Sequence, residues 1–177
     1  MQYTQTVFRY REDHDDGMVE FLKKYVSSPA VNTGLSGGGT EAQVQKWLAD
    51  ELETYGFRID KVAADPKQER PNVVAIYEGT GSGNGLILNG HSDTVEVLEP
   101  QKWNSDPFSP VVQNGKMYGR GVCDMKGGNT AAIWAVKALK DCNIELSGDV
   151  IMQWVIGEES NDGETIGTTA VLDKGYE

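Results

Sequence analysis

The chain contains Leu86-Ile87-Leu88-Asn89-Gly90-His91-Ser92-Asp93-Thr94-Val95, an apolar run that stops at a glycine and continues with an imidazole and a carboxylate. This pattern is typical of a buried strand that delivers polar side chains to the end of a sheet, where ligands bind in open α/β folds. Because residues two apart in a strand share a face, Asp93 is predicted to lie beside His91. A carboxylate there can fix the tautomer of a metal-ligating imidazole. The alternative is a strand followed by a polar turn.

A second informative stretch is Gly119-Arg120-Gly121-Val122-Cys123-Asp124-Met125-Lys126-Gly127-Gly128, where glycines surround a single acid. A helix is predicted over about residues 129–140, so we expect Asp124 on tight backbone at the helix start, facing a cation or a developing charge. The alternative is an acid that is there only because the helix dipole favours it. Cys123 is a weak candidate nucleophile because no histidine stands near it in the sequence, and a small packed residue is the favoured interpretation.

A third stretch, residues 150–156, is almost continuously apolar and predicts a strand covered on both faces. It ends at Gly157, and Glu158 and Glu159 follow at once. Two adjacent glutamates normally indicate a solvated surface. At the mouth of a buried strand, however, paired like charges are costly unless something positive is present. Counted together with His91 and Asp124, the two glutamates favour a metal site.

Apolar periodicity predicts the remaining elements. Helices are predicted over residues 17–26, 40–55 and 167–174, and strands over residues 57–62 and 72–77. Thr40 and Gln43 form a capping-box pattern at the start of the second helix. An Asn114-Gly115 turn predicts a small hairpin over residues 111–118. The Gly/Ser segment 79–85 is interpreted as a hairpin loop that leads into the Leu86 strand.

One further histidine, His14, lies in the charge cluster Arg11-Glu12-Asp13-His14-Asp15-Asp16. A histidine among acids can suggest a metal, but a solvated turn is the favoured interpretation. The triple glycine 37–39 is interpreted as a flexible loop, because no Lys-Ser/Thr follows it as a phosphate-binding loop would require.

Composition excludes several classes of function. The 177 residues fit one domain, and the net charge of -11 argues against binding to a nucleic-acid backbone. The longest apolar run is far too short to span a bilayer, so no membrane partner is expected. Two cysteines, Cys123 and Cys142, make no disulfide framework, and the first residues lack the pattern of a signal peptide. These features predict a cytoplasmic protein.

Three motifs follow one another along the chain: H-S-D-T-V from His91, G-R-G-x-x-D-M-K-G-G around Asp124, and G-E-E-S from Gly157. Together they resemble the acetylornithine deacetylase / succinyl-diaminopimelate desuccinylase family, whose relatives include aminoacylases and dinuclear-zinc carboxypeptidases. The resemblance covers the chain from about Ser27 onward. It implies an α/β three-layer sandwich with a central mixed, largely parallel sheet flanked by helices, here truncated.

By that resemblance, His91 binds one zinc ion, Asp124 bridges two, and Glu159 binds the other, with cobalt as a possible substitute. Asp93 orients His91, and Glu158 is the general base for attack of water on an amide carbonyl. These roles agree with the nitrogen and carboxylate ligands that zinc prefers. The family also places a cis peptide after the bridging acid, which here is the Asp124-Met125 bond.

The resemblance also implies parts that this chain lacks. Family members are longer, and they supply a further acidic ligand, a late histidine and an inserted dimerising domain. We therefore expect residues 1–177 to be the first segment of a metallohydrolase catalytic domain, nearly inactive alone and a weak zinc binder. The parent protein is expected to be a homodimer through the missing domain.

The predicted function of the parent is metal-dependent cleavage of an N-acyl amino acid, as in acetylornithine deacetylase. Two alternatives within the clan are an exopeptidase, acting as a dipeptidase or carboxypeptidase, and a succinyl-diaminopimelate desuccinylase. An alternative of another class is a non-catalytic remnant that serves as an interaction module. The Glu158-Glu159 pair favours a catalytic ancestor, because a binding module has no need of a base.

Overall fold

The computed structural model describes residues 2–32, 41–64, 70–160 and 163–177. Its helices are α1 Gln2–Val26, α2 Glu41–Thr54, α3 Gly127–Asp141, α4 Gly163–Ile166 and α5 Thr168–Leu172. Its strands are β1 Arg58–Val62, β2 Asn72–Tyr77, β3 Leu86–His91, β4 Val111–Gln113, β5 Lys116–Tyr118 and β6 Val150–Val155. Among the helices of these ranges, none combines the length and the apolar character that a membrane span requires.

The main sheet has the strand order β1-β2-β6-β3. β1 pairs antiparallel with β2, β2 pairs antiparallel with β6, and β3 pairs parallel with β6. The expected mixed sheet is confirmed, with less parallel pairing in the described part than expected. The reason lies in the connections, because a parallel crossover needs about a dozen residues or more. The long segment from β3 to β6 provides such a crossover and includes α3. The segment from Val62 to Asn72 is too short for a crossover, so β1 and β2 pair antiparallel.

Helices cover both faces of the sheet, which confirms the three-layer arrangement. Met152 and Trp154 of β6 pack with α1, α2 and α3 in one buried cluster. Val155, on the opposite face of the same strand, packs with Val171 of α5 in a second cluster. β6 is therefore central and covered on both faces, as its continuous apolar run predicted.

The charge cluster at residues 11–16 is helical, so the predicted turn is wrong. α1 runs through it without a break. Arg11 and Asp15 form an ion pair one helical turn apart, and the His14 ring stacks on Tyr10 with ring centroids 4.0 Å apart. A charged sequence is compatible with a helix when its polar face is solvated and its i,i+4 pairs attract.

The segment 79–85 is not a hairpin loop, because β6 lies between β2 and β3. The loop instead crosses the start of β6. The backbone N–H of Thr80 donates to Leu146, that of Gly83 to Ser147 and that of Leu86 to Asp149, at 2.8–2.9 Å. A strand that comes late in the chain has taken the central position, since its apolar run must be buried on both sides.

The small hairpin is confirmed. β4 and β5 pair antiparallel, and the turn residues Asn114 and Gly115 have φ angles of 53° and 73°. Both angles fit the two-residue turn that the Asn-Gly sequence predicted. The capping threonine Thr40 and the triple glycine 37–39 lie outside the described residues.

Candidate metal centre

The ends of two strands and one turn bring the predicted site residues to one edge of the sheet. His91 is the last residue of β3, and Glu158 and Glu159 follow the end of β6. β3 and β6 are parallel neighbours, so their carboxyl ends meet at the same edge. Asp124 arrives from a separate direction, in the tight turn of residues 122–126 that precedes α3.

Side-chain atoms of His91, Asp124 and Glu159 lie within 4.8 Å of one another. The Nε2 atom of His91 is 3.0 Å from Oδ1 of Asp124 and 3.7 Å from Oε2 of Glu158. The imidazole is buried, whereas the side chains of Asp124 and Glu158 are 74% and 60% exposed. The imidazole therefore forms the buried part of this group, and the side chains of Asp124 and Glu158 form its solvent-exposed part. The structure brings the predicted ligands together, and their role as ligands stays a prediction.

Asp93 is completely buried behind His91. The Nδ1 atom of His91 is 3.1 Å from the main-chain oxygen of Asp93 and 3.6 Å from its carboxylate Oδ1. The other carboxylate oxygen, Oδ2, accepts hydrogen bonds from the Asn32 amide at 2.9 Å and from the Glu159 backbone N–H at 3.0 Å. Asp93 thus joins the ends of β3 and β6 behind the imidazole.

Burial and neighbouring charges shift the pKa values of His91, Asp93 and Glu159. Burial lowers the pKa of His91, but the carboxylates of Asp93 and Asp124 outweigh burial and raise it to about 9. Burial alone would raise the pKa of Asp93, but hydrogen bonds from His91, Asn32 and the backbone of Glu159 lower it. Burial raises the pKa of Glu159, and the negative charges of Asp124, Glu158 and Asp93 add to this effect, although His91 opposes it.

These residues fit a divalent cation. One imidazole nitrogen and carboxylate oxygens form a donor set that zinc and related ions accept. Burial is the main cause that raises the pKa of Glu159, and the neighbouring carboxylates add to it, so a cation at this position would favour the charged form of Glu159. Oδ1 of Asp93 is buried without a hydrogen bond within the described residues. The negative charge of Asp93 on the Nδ1 side of His91 is suited to stabilise an imidazole whose Nε2 atom donates its lone pair to a metal.

Two glycines allow the backbone to approach closely at the site. Gly121 has a φ of 82°, and a Cβ there would lie 2.7 Å from a methyl group of Thr94. A Cβ on Gly90 would lie 2.2 Å from Oδ1 of Asn129. The predicted cis peptide bond between Asp124 and Met125 is present.

Sequence reasoning missed a layer of polar residues beneath the ligands. Lys126 and Asn129 are buried at the start of α3, and Tyr25 and Ser92 are buried beside them. Burial lowers the pKa of Lys126 to about 7, with the charge of Asp93 opposing it. Lys126 and Asn129 follow the predicted acid by two and five residues, which was a signal that they share its surroundings.

Cys123 is exposed, so its interpretation as a small packed residue is wrong. The turn that holds Asp124 directs Cys123 to the surface, where it lines a groove of about 780 Å³ together with Trp103 and Val122.

Comparisons with known proteins agree with this fold. The family model of peptidase family M20/M25/M40 matches residues 87–177, half of the chain. The chain therefore belongs to this family, whose members are hydrolases of amide bonds. The resemblance inferred from the three motifs is confirmed.

Two curated relatives name activities of this kind. The chain is 40% identical over 172 residues to the N-formyl-4-amino-5-aminomethyl-2-methylpyrimidine deformylase of Bacillus subtilis, covering 93% of this chain and 37% of the relative. It is 32% identical over 127 residues to the succinyl-diaminopimelate desuccinylase of Polynucleobacter necessarius, covering 69% and 33%. The chain therefore spans about a third of the length of the curated relatives that it matches.

Solved structures share the architecture. Human carnosine dipeptidase 1 matches with a TM-score of 0.77 and 26% identity, covering 96% of this chain and 36% of the dipeptidase. The YXEP protein of Bacillus subtilis, described as a dinuclear metal-binding peptidase of family M20, matches with a TM-score of 0.64 and 19% identity, covering 93% and 40%.

Proposed function

We propose that this chain carries the metal-binding part of an enzyme that hydrolyses an amide bond between a small acyl group and an amine. The observation that carries the proposal is the convergence of His91, Asp124 and Glu159 within 4.8 Å at the carboxyl ends of two parallel strands. A cluster with only a structural role has no need to place the carboxylates of Asp124, Glu158 and Glu159 around one imidazole, because like charges at short range repel each other unless a cation lies between them.

In this proposal His91, Asp124 and Glu159 hold two divalent cations, zinc or cobalt, together with residues outside this chain. When bound, the cations supply Lewis acidity for the amide carbonyl and lower the pKa of the attacking water. Asp93 holds the His91 ring through the Nδ1 side, which leaves Nε2 directed at the site.

Glu158 is proposed as the general base. Its Oε2 atom is 3.7 Å from His91 Nε2, and its side chain is 60% exposed, so it lies beside the ligand group yet remains open to water and substrate. It takes a proton from the attacking water and returns that proton to the leaving amine as the C–N bond breaks. Proton transfer of this kind contributes about 10²–10⁴-fold to rate.

The substrate is proposed to be a small N-acylated amine, with an N-formyl group as the first candidate. The named activity of the Bacillus subtilis relative, which matches 93% of this chain, supports formyl removal over the acetyl removal that the motifs alone suggested. The named activity of the desuccinylase relative keeps a succinyl group as an option. A second candidate is dipeptide hydrolysis, favoured by the 26% identity to carnosine dipeptidase 1.

Substitution of the paired glutamates in the complete protein tests the proposal. Glu158→Gln is expected to lower kcat by about 10²–10⁴-fold and to leave the metal content unchanged, because it removes a proton acceptor only. Glu159→Gln is the matched control and is expected to lower the metal content. Metal content is measured by elemental analysis, and rates are measured on N-formyl, N-succinyl and N-acetyl amines and a dipeptide. Unchanged kcat in Glu158→Gln on every substrate would exclude the base role.

A further inference from the structure

A cluster of four buried polar side chains lies directly beneath the proposed metal ligands. We call it the support cluster, and its members are Tyr25, Ser92, Lys126 and Asn129. It draws on the end of α1, the residue after β3 and the start of α3. None of its members belongs to the ligand group, and the proposed reaction does not use them.

Lys126 ties the turn that carries Asp124 to the end of α1. Its Nζ atom is fully buried and donates to the main-chain oxygens of Tyr25 and Ser28, both at 2.9 Å. It also lies 4.9 Å from the centre of the Tyr25 ring. The last carbonyls of a helix lack intrahelical partners, and a lysine donor satisfies them well. The turn is therefore anchored two residues after the acid.

Asn129 anchors His91, the second proposed ligand, by a hydrogen bond to its backbone. Its amide Nδ2 donates to the main-chain oxygen of His91 at 2.6 Å and lies 3.3 Å from the Tyr25 hydroxyl. The Tyr25 hydroxyl is in turn 2.7 Å from the hydroxyl of Ser92, the residue that follows His91. The absence of a side chain on Gly90 leaves the space in which Asn129 makes this approach.

These bonds are not what stability alone would favour. Buried ionic and polar groups can often be replaced by apolar residues of similar volume with little loss of stability. Both anchors, however, act on backbone that carries a proposed ligand: Lys126 ties the turn of Asp124 to the end of α1, and Asn129 bonds to the main-chain oxygen of His91. The hydrogen-bond partners of metal-binding segments strongly affect metal affinity when they are removed.

We propose that Lys126 and Asn129 are positioning residues for the metal ligands: Lys126 fixes the turn that presents Asp124, and Asn129 fixes the backbone that presents His91. This inference rests on the proposed function, because it takes these two side chains as metal ligands. It extends that function by assigning part of the metal affinity to residues that never touch the metal.

The test is a titration of the complete protein with cobalt(II) chloride, followed by visible absorption and by calorimetry. Lys126→Met is expected to weaken cobalt binding by roughly 10–100-fold and to change the absorption spectrum, because Asp124 is no longer held in place. Lys137→Met is the matched control. Lys137 lies within α3, about three helical turns beyond Lys126, and contacts aromatic rings and Asp141, so its variant is expected to bind cobalt like the wild type.

Asn129→Ala provides a second variant if Lys126→Met does not fold. Its control is Gln45→Ala, because the Gln45 amide makes an equivalent buried bond, 2.7 Å long, to the main-chain oxygen of Trp154. Asn129→Ala is expected to weaken cobalt binding, and Gln45→Ala is expected to bind cobalt like the wild type. Circular dichroism and thermal melting of the metal-free proteins report whether each variant is folded.

The outcomes separate the two proposals. A folded Lys126→Met or Asn129→Ala variant with wild-type cobalt affinity and spectrum overturns the positioning role. An equal loss of affinity in the control variants also overturns it, since the effect would then be general. A complete wild-type protein that binds neither cobalt nor zinc instead contradicts the metal site itself.

Discussion

The two nitrogens of the His91 ring face opposite sides of the site. Nδ1 faces the buried Asp93, and Nε2 faces the exposed Asp124. Both neighbours are negative, so the metal-free chain holds a proton on this ring to a pKa of about 9. A cation that binds Nε2 must displace that proton, and metal binding is therefore expected to release protons at neutral pH.

Nuclear magnetic resonance of the metal-free chain tests this pKa. With only His14 and His91 present, a His14→Gln variant leaves a single histidine signal. We expect that signal to titrate near pH 9. Because the folded-state pKa lies above the unfolded value of about 6.5, the stability that this protonation contributes is full below about pH 6.5 and is lost as pH rises through 9.

Asp93→Asn is the control for that titration. It removes the main charge that opposes burial, so the pKa of His91 is expected to fall towards or below its ordinary value. The high-pH loss of stability, measured by urea unfolding, should then disappear. If His91 titrates at its ordinary pKa in the His14→Gln variant, in which Asp93 is intact, the arrangement described for Asp93 is contradicted.

The grouping of His91, Asp124 and Glu159 could be predicted at the level of single residues because each lies at or just after a strand end or in a glycine turn, while their role as metal ligands stays a prediction. His91 and Glu159 needed only the rule that parallel strands finish at one edge. The contacts of Asn32, Lys126 and Asn129 could not be predicted, since their partners lie on segments that are distant along the chain. No pattern within their own neighbourhood specifies those contacts.

At the scale of elements, β3 is the feature with the clearest consequence. It lies at the edge of the main sheet, and no strand in the described ranges pairs with its outer side. Leu86 and Ile87 are 55% and 37% exposed there. An apolar edge strand of this kind tends to pair with another chain.

We therefore expect the isolated chain to self-associate as its concentration rises, and Ile87→Lys to reduce that association. A lysine on an edge strand disfavours pairing with a second strand. Analytical ultracentrifugation measures the effect. Val112→Lys is the matched control, because Val112 is 47% exposed on β4 and lies outside the main sheet. Equal association in wild type and both variants would locate the contact elsewhere.

Elements were predicted well where one local pattern dominates, as in the hairpin with its Asn-Gly turn. They were predicted poorly where distant packing decides. The segment 79–85 has the composition of a hairpin loop, but the central place of β6 is set by burial on both faces. The charged residues 11–16 resemble a turn, but helix α1 continues through them because its other face packs on α3.

At the scale of the whole molecule, the chain spans about a third of the length of its curated relatives. The proposed ligand group contains one histidine and two carboxylates, which is few for two cations. We expect this chain alone to bind zinc weakly and to hydrolyse amides at a small fraction of the rate of the complete protein. Parallel assays of the two proteins on the same N-formyl amine measure the difference. Equal rates would mean that the site is already complete within these 177 residues.

The late arrival of β6 in the chain has a consequence for synthesis on the ribosome. β2 and β3 emerge first, but they are not neighbours, and each must wait for residues 150–155 to form the ladder that joins them. Pairings between segments so distant along a chain form slowly, because the intervening loop must close first. The nascent polypeptide is therefore expected to bring His91, Asp124 and Glu159 together only after β6 has inserted between β2 and β3.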